Sequence, residues 1–338
     1  MTRRGAGRSG CVTSAGGRST RTRECMVPFA IAGIQMTVSA SQSNLTAMTQ
    51  RVDVLMHRFP WVQMVLFSEL CVLGPLRATA QPLPGPTEQA FCELAARHGI
   101  WLIPGSLFER VGDRVYNTAP VIDPEGAVVG RYRKMFPFQP YEQGIEPGHE
   151  FLTFDVPGVG RFGLSICYDM WFPETSRTLT ALGAEVILHP TLTDTIDRDV
   201  ELSIVRATAA MNQCYVFDIN GLGDGGYGRS SIVDSAGHVL YSAGAGEEMI
   251  PVEIDLERVR REREVGIRGL GQPLKSFRDR RIEFEVYREA FDNSYLESLG
   301  TLARPSRGSR AGLAAGSQAK PAGAAVAYSS PAEAESAD

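Results

Sequence analysis

Three side chains of this 338-residue chain are of types that together do acyl-transfer chemistry. Cys167 closes the strand-like run Arg161 to Ile166 and stands just before a turn and a helical pattern. Glu69 ends Val65-Leu66-Phe67-Ser68, and Lys134 follows Val128-Val129-Gly130-Arg131-Tyr132-Arg133. Each reactive group therefore terminates a strand-like run, where backbone N–H groups are free and the ligands of α/β proteins gather. A thiol nucleophile needs a base, its tetrahedral oxyanion needs a cation or N–H donors, and the leaving amine needs a proton. A carboxylate, an ammonium and a thiol supply these. Taken singly, each has an ordinary reading: a buried structural thiol, a solvated carboxylate, a basic surface patch with Arg131 and Arg133. The recurrence of one topological position in the order Glu, Lys, Cys carries the functional reading.

The elements that must position these groups alternate between strand and helix. Pro28 to Met36, Trp61 to Phe67 and Ile100 to Phe108 read as strands. Asn44 to Phe59 has helical spacing, and Thr87 to His98 reads as a helix with Thr87 as N-cap and Gly99 as stop. Hairpins are expected around Asp123-Pro124-Glu125-Gly126 and between Phe151 and Ile166. Pro173 to Leu182 and Arg198 to Met211 read as helices, with strands at Glu185 to His189, Gln213 to Ile219, Gly228 to Val233, Val239 to Ser242 and Met249 to Ile254. Leu256 to Val265 is a charged helix. This is one α/β domain over residues 26–266, followed by a folded segment, 267–302. Residues 1–25 are Arg-rich with little to bury and read as a disordered extension, with Met26 a candidate first residue. Residues 303–338 are Ala, Gly, Ser and Pro and read as a disordered tail.

A net charge of −5 gives no reason to expect nucleic acid or an anionic membrane as partner. No apolar run is long enough to span a bilayer. Six cysteines without a CxxC pair suit free thiols in a reducing cytoplasm. Five scattered histidines give no zinc pattern, so no metal and no cofactor are expected.

From about Phe29 to Ile267 the sequence resembles the nitrilase superfamily of carbon–nitrogen hydrolases. Leu66-Phe67-Ser68-Glu69, Tyr132-Arg133-Lys134 and Ile166-Cys167-Tyr168-Asp169, with Phe172-Pro173-Glu174, match its three motifs. Tyr116-Asn117-Thr118, Arg206-Ala207, Asn212, Tyr215, Asn220 and Gly228 to Asp234 resemble its supporting segments. The resemblance implies a four-layer α-β-β-α sandwich over 26–266, with Cys167 as nucleophile, Glu69 as general base, and Lys134 with the Tyr168 N–H as oxyanion partners. It implies a second glutamate in the loop after the lysine. Glu142 matches by spacing, while Glu146 competes because Pro147-Gly148 lies one residue further on than the aliphatic amidase branch places it. It also implies a homodimer or larger assembly, through helices at Phe172 to Leu182 and Arg198 to Met211 and an arm from Gly266 to Leu299.

Tyr116, Phe138, Tyr168, Trp171 and Thr191 are the candidate substrate contacts, with Phe172, Thr193 and Arg206 as further possibilities. Aromatic walls suit a compact acyl group better than a long charged one. Tyr168 departs from the Asp that follows the nucleophile in aliphatic amidases, which leaves the substrate open. The expected reaction is hydrolysis of a small amide to carboxylate and ammonia through a Cys thioester. A nitrilase and an N-carbamoyl amine hydrolase are alternatives with the same residues. A non-enzymatic acyl-binding protein on the same fold is disfavoured because Glu69, Lys134 and Cys167 are all retained.

Overall fold

Successive side chains of a strand point to opposite faces, so a strand covered on both faces must be apolar throughout. The chain meets this condition twice, and the outcome is two sheets packed face to face with helices outside each. The structure, a computed structural model, describes residues 28–280 and 282–304. The expected extension at 1–25 lies outside them, as does the expected tail apart from residues 303 and 304.

The first half runs β1 (Phe29–Gln35), β2 (Thr37–Val38), α1 (Leu45–Arg58), β3 (Met64–Phe67), α2 (Pro86–His98), β4 (Trp101–Ile103), β5 (Leu107–Val111), β6 (Arg114–Ile122) and β7 (Val128–Arg133). The second runs β8 (Leu152–Val156), β9 (Gly160–Leu164), α3 (Pro173–Ala181), β10 (Val186–Thr191), α4 (Arg198–Asn212), β11 (Tyr215–Asn220), β12 (Leu222–Gly223), β13 (Ser231–Val233), β14 (Val239–Ser242), β15 (Glu248–Ile254) and α5 (Leu256–Val265). One sheet has the order β15-β1-β3-β4-β6-β5, with β7 also on β6; the other has β14-β13-β11-β10-β9-β8. The centres of both are parallel, β1-β3-β4 and β9-β10-β11.

Alternation sorts the side chains into layers. Ile31, Met64, Leu66, Phe162, Leu164, Leu188 and Phe217 meet between the sheets. Ala32, Ile34, Val65 and Phe67 point the other way, onto Met48, Val52 and Leu55 of α1 and Phe91 and Leu94 of α2. Ile187 and Val216 carry Leu179 of α3 and Val205 and Ala209 of α4. This is the expected α-β-β-α sandwich. The sheets come so close that a Cβ on Gly33 would stand 2.2 Å from the Ile219 side chain.

Two local expectations are corrected. Ile100 to Phe108 is two strands. Gly105 breaks them with φ +76°, because its backbone packs on the Ser68 carbonyl where a Cβ would stand at 1.8 Å. That contact fixes the residue just before Glu69. In α2, Pro86 takes the first turn with Gly85 as cap, and the Thr87 hydroxyl instead donates to Gln81 at 3.0 Å. The segment after α5 holds two short helices, α6 (Pro273–Asp279) and α7 (Ser294–Glu297). It runs past α3 and α4, with Arg177 over the Phe277 ring and Tyr287 bonded to Glu174. Its last described residue, Arg304, lies over the Tyr141 ring at 4.6 Å.

Candidate active site

The C-terminal ends of the central strands converge, and the Glu69 N–H closes the gap by donating to the Thr191 carbonyl at 3.2 Å. Glu69 follows β3, Lys134 follows β7, and Cys167 comes three residues after the end of β9. All three are buried, at 2%, 1% and 8% exposure. Cys167 has φ +46°, a strained left-handed conformation for a residue with a Cβ. It opens a short 3-10 helix, Cys167–Trp171, whose first N–H groups, including that of Tyr168, have no partner within the helix.

Lys134 Nζ donates to Glu69 Oε1 and to Glu142 Oε2, each at 2.8 Å. Asn117, on β6 beside β7, donates its amide to Glu69 at 2.7 Å and to Glu142 at 3.4 Å, and its carbonyl receives the Lys134 N–H. The Phe138 N–H adds a bond to Glu142 at 2.5 Å. Glu142 is thus the carboxylate on Lys134, while Glu146 is exposed, its N–H bonded to the Val115 carbonyl.

Burial pushes the Glu69 carboxyl up to about 7; Lys134 pulls it back and the Glu142 charge adds to the rise. Burial opposes the Lys134 charge, yet Glu142 and Glu69 hold the ammonium well above the ordinary lysine range. Burial likewise opposes the Glu142 carboxylate, and Lys134 more than offsets it, so Glu142 stays below the usual range. The Cys167 thiol is pushed well up by burial and the Glu69 charge. It lies against the Glu69 carboxylate and the Thr191 hydroxyl, and 3.6 Å from the Leu192 carbonyl. At neutral pH burial keeps the Cys167 thiol protonated, and the Glu69 carboxyl beside it titrates near 7 with the Lys134 ammonium bonded to it.

A cavity of about 430 Å³ opens over these groups. Of the expected substrate contacts, Phe138, Tyr168 and Trp171 line it. Thr191 does not; it is fully buried beside the Cys167 sulfur. Tyr116 is also off the wall, covered by the Arg133 guanidinium at 4.2 Å. Phe172 stacks on Phe136 at 3.7 Å, and Arg206 faces outward, donating to the Gly237 carbonyl. Thr193 does line the cavity.

Sequence reasoning passed over Asn117, Asp169 and Glu201 as site residues. Asp169 is fully buried; it accepts from Tyr132 Oη at 2.6 Å, from the Ile166 N–H at 2.9 Å and from the Phe136 N–H at 2.8 Å. It thereby ties the Cys167 turn to the segments on either side of Lys134. Asn117 stands in the Tyr116-Asn117-Thr118 segment that carries part of the family resemblance, which was the readable signal for it. Among the described residues, no group of three or more His, Cys, Asp or Glu could hold a metal ion.

The family sequence model described as carbon–nitrogen hydrolase matches residues 30–264. Omega-amidase NIT2 of Mus musculus is 29% identical, over 69% of this chain and 91% of its own. The 2-oxoglutaramate amidase of Bacillus subtilis is 36% identical, over 50% of this chain and 68% of its own. Among solved structures, Nit3 of Saccharomyces cerevisiae, of branch 10 of the nitrilase superfamily, superposes with a TM-score of 0.63 at 27% identity, covering 70% of this chain and 93% of its own.

Proposed function

The chain belongs to the carbon–nitrogen hydrolase family, and from that premise we propose that Glu69, Lys134 and Cys167 hydrolyse a small amide to a carboxylate and ammonia. It is an enzyme of carbon–nitrogen bonds other than peptide bonds. The observation that carries the residue assignment is the Lys134 ammonium held between two carboxylates beside the thiol. The amidase names of its relatives support an amide as substrate.

Glu69 takes the Cys167 proton as sulfur attacks the amide carbon. The carbonyl oxygen gains charge and is met by the Lys134 ammonium and the Tyr168 N–H, donors that the fold holds in place. Glu69 passes the proton to the nitrogen, the C–N bond breaks, and ammonia leaves a thioester on Cys167. Water then attacks the thioester, Glu69 takes its proton, and the carboxylate departs as the thiol is restored. Glu142 keeps Lys134 charged and in place. A carboxyl group near 7 suits this exchange, since it can both accept and return a proton at neutral pH.

The reading extends to assembly and location. Leu182 just past α3, Val200 and Met211 on α4, and Phe277, Phe284 and Leu299 after α5, are exposed apolar side chains, which supports a homodimer or larger through this face. Sedimentation at micromolar concentration tests it; a monomer contradicts it. Cys71, Cys92, Cys167 and Cys214 are free, which supports a reducing cytoplasm. Ammonia release from a panel of short amides, N-carbamoyl amines and nitriles, with Cys167→Ala as blank, tests the reaction. Release from nitriles alone would overturn the amide assignment.

A further inference from the structure

Behind the Trp171 wall of the cavity, one guanidinium serves two buried carboxylates. Arg198 at the start of α4 gives one amino group to Asp218 at 2.5 Å and shares the other between Glu201 at 3.2 Å and Asp218 at 3.4 Å. It also donates to the Arg229 carbonyl at 2.9 Å. Glu201 receives the weaker share, and the Trp171 indole N–H reaches it only at 3.5 Å. Yet Glu201 is 9% exposed and lines the cavity. The neighbouring His189 adds no charge, since burial drives it down to about 3. A buried carboxylate without a full counter-charge is costly to hold.

The same wall has two more features of one kind. Asp194 and Asp197 line it, and neither has an ion-pair partner among the described residues. Thr193 lines it at 6% exposure, and its hydroxyl makes no hydrogen bond there. An unpaired hydroxyl on a residue more than nine-tenths buried, where that residue borders a cavity, is a place kept for a polar ligand group. Trp171 and Tyr168 also line the cavity, and aromatic rings attract cations over their faces.

Resting on the amidase reading, we propose that this wall binds a cation on the substrate: the acyl part carries an ammonium or alkylated amine that pairs with Glu201. The compact uncharged acyl group that the aromatic residues alone suggest is replaced by a basic one. Arg77 also lines the cavity, but Glu201, Asp194 and Asp197 outnumber it, so the wall disfavours an acyl part that ends in its own carboxylate.

The test compares three amide classes of matched length, by ammonia release. These are ω-amino amides from 3-aminopropanamide to 6-aminohexanamide, the corresponding alkyl amides, and ω-carboxylated amides. The expected result is that kcat/KM for the best amino amide exceeds that of its alkyl match by about tenfold or more, as for a partly desolvated charge pair. The carboxylated match falls below both. Glu201→Gln brings the cationic-to-neutral ratio towards one. Should that variant fold poorly, Asp194→Asn and Asp197→Asn, at more accessible positions, lower the same ratio, and salt lowers it in the unaltered enzyme. Hydrolysis of all three classes at similar efficiency, preference for the carboxylated amide, or a ratio that none of these changes moves would overturn the inference while leaving the amidase reading standing. No ammonia from any amide would overturn both.

Discussion

At each end of the cavity one cation stands between two carboxylates, and the two clusters differ in what the spare carboxylate touches. At one end Lys134 bridges Glu69 and Glu142. Glu69 lies against the Cys167 thiol, and burial lifts its carboxyl to about 7, so the surplus negative charge becomes a place for a proton. At the other end Arg198 bridges Glu201 and Asp218. Glu201 bonds Arg198 and the Trp171 indole instead of a nucleophile, and it lines the cavity. The same two-to-one arrangement thus supports chemistry where a thiol adjoins it and recognition where an aromatic wall does.

Removing each cation separates the two roles. Lys134→Met takes away the oxyanion partner and leaves Glu69 and Glu142 without counter-charge. It should lower kcat/KM by about a thousandfold or more. Arg198→Met should cost comparable stability, about 3–5 kcal/mol for a broken buried pair, but lower kcat for a neutral amide by less than about tenfold. Thermal unfolding beside ammonia release checks both; equal losses of kcat in the two variants would erase the distinction.

The Glu142 carboxylate is the next lever. Its charge helps raise Glu69, so Glu142→Gln should move the acid limb of kcat/KM to lower pH while lowering the maximum about 10- to 100-fold. In the unaltered enzyme that limb should lie near pH 7. Below it Glu69 is protonated and cannot take the thiol proton, so kcat/KM falls about tenfold per pH unit. A limb unmoved by Glu142→Gln would separate Glu142 from the Glu69 environment.

The smallest effect is expected at Asp169, which touches neither cluster's spare charge but fixes the Cys167 turn. Asp169→Asn turns one acceptor into a donor against its three partners. It should cost about 1–3 kcal/mol in unfolding and lower kcat more than it changes KM. A changed KM with kcat intact would point to the substrate wall instead.

The Lys134 end was legible in the sequence because its three reactive groups each terminate a strand-like run, and strand ends converge in this fold. Sequence spacing could not separate Glu142 from Glu146. The choice rests on Asn117 and the Phe138 N–H, which come from a strand and a loop turn that meet only in the folded chain. The Arg198 end was not legible: an Arg and a Glu three apart on a helix read as a surface pair until Asp218 from β11 arrives behind them. The α/β class followed from the alternation of strand and helix patterns and the sandwich from the family resemblance, whereas the break at Gly105 followed from neither, because it answers a close approach to Ser68 from another strand. Thr191 and Tyr116 show the converse. Both were expected to touch substrate, yet neither lines the cavity: Thr191 is buried beside the Cys167 sulfur and Tyr116 lies under the Arg133 guanidinium.

The measurement that tests the central claim most directly is ammonia release from a good amide by Cys167→Ala and Cys167→Ser, with folding checked by unfolding temperature. Loss of the nucleophile is expected to lower kcat by about 10⁴-fold or more in both while the fold is kept. Hydrolysis by either variant near the rate of the unaltered enzyme would contradict the assignment of Cys167, and with it the account of the Lys134 end.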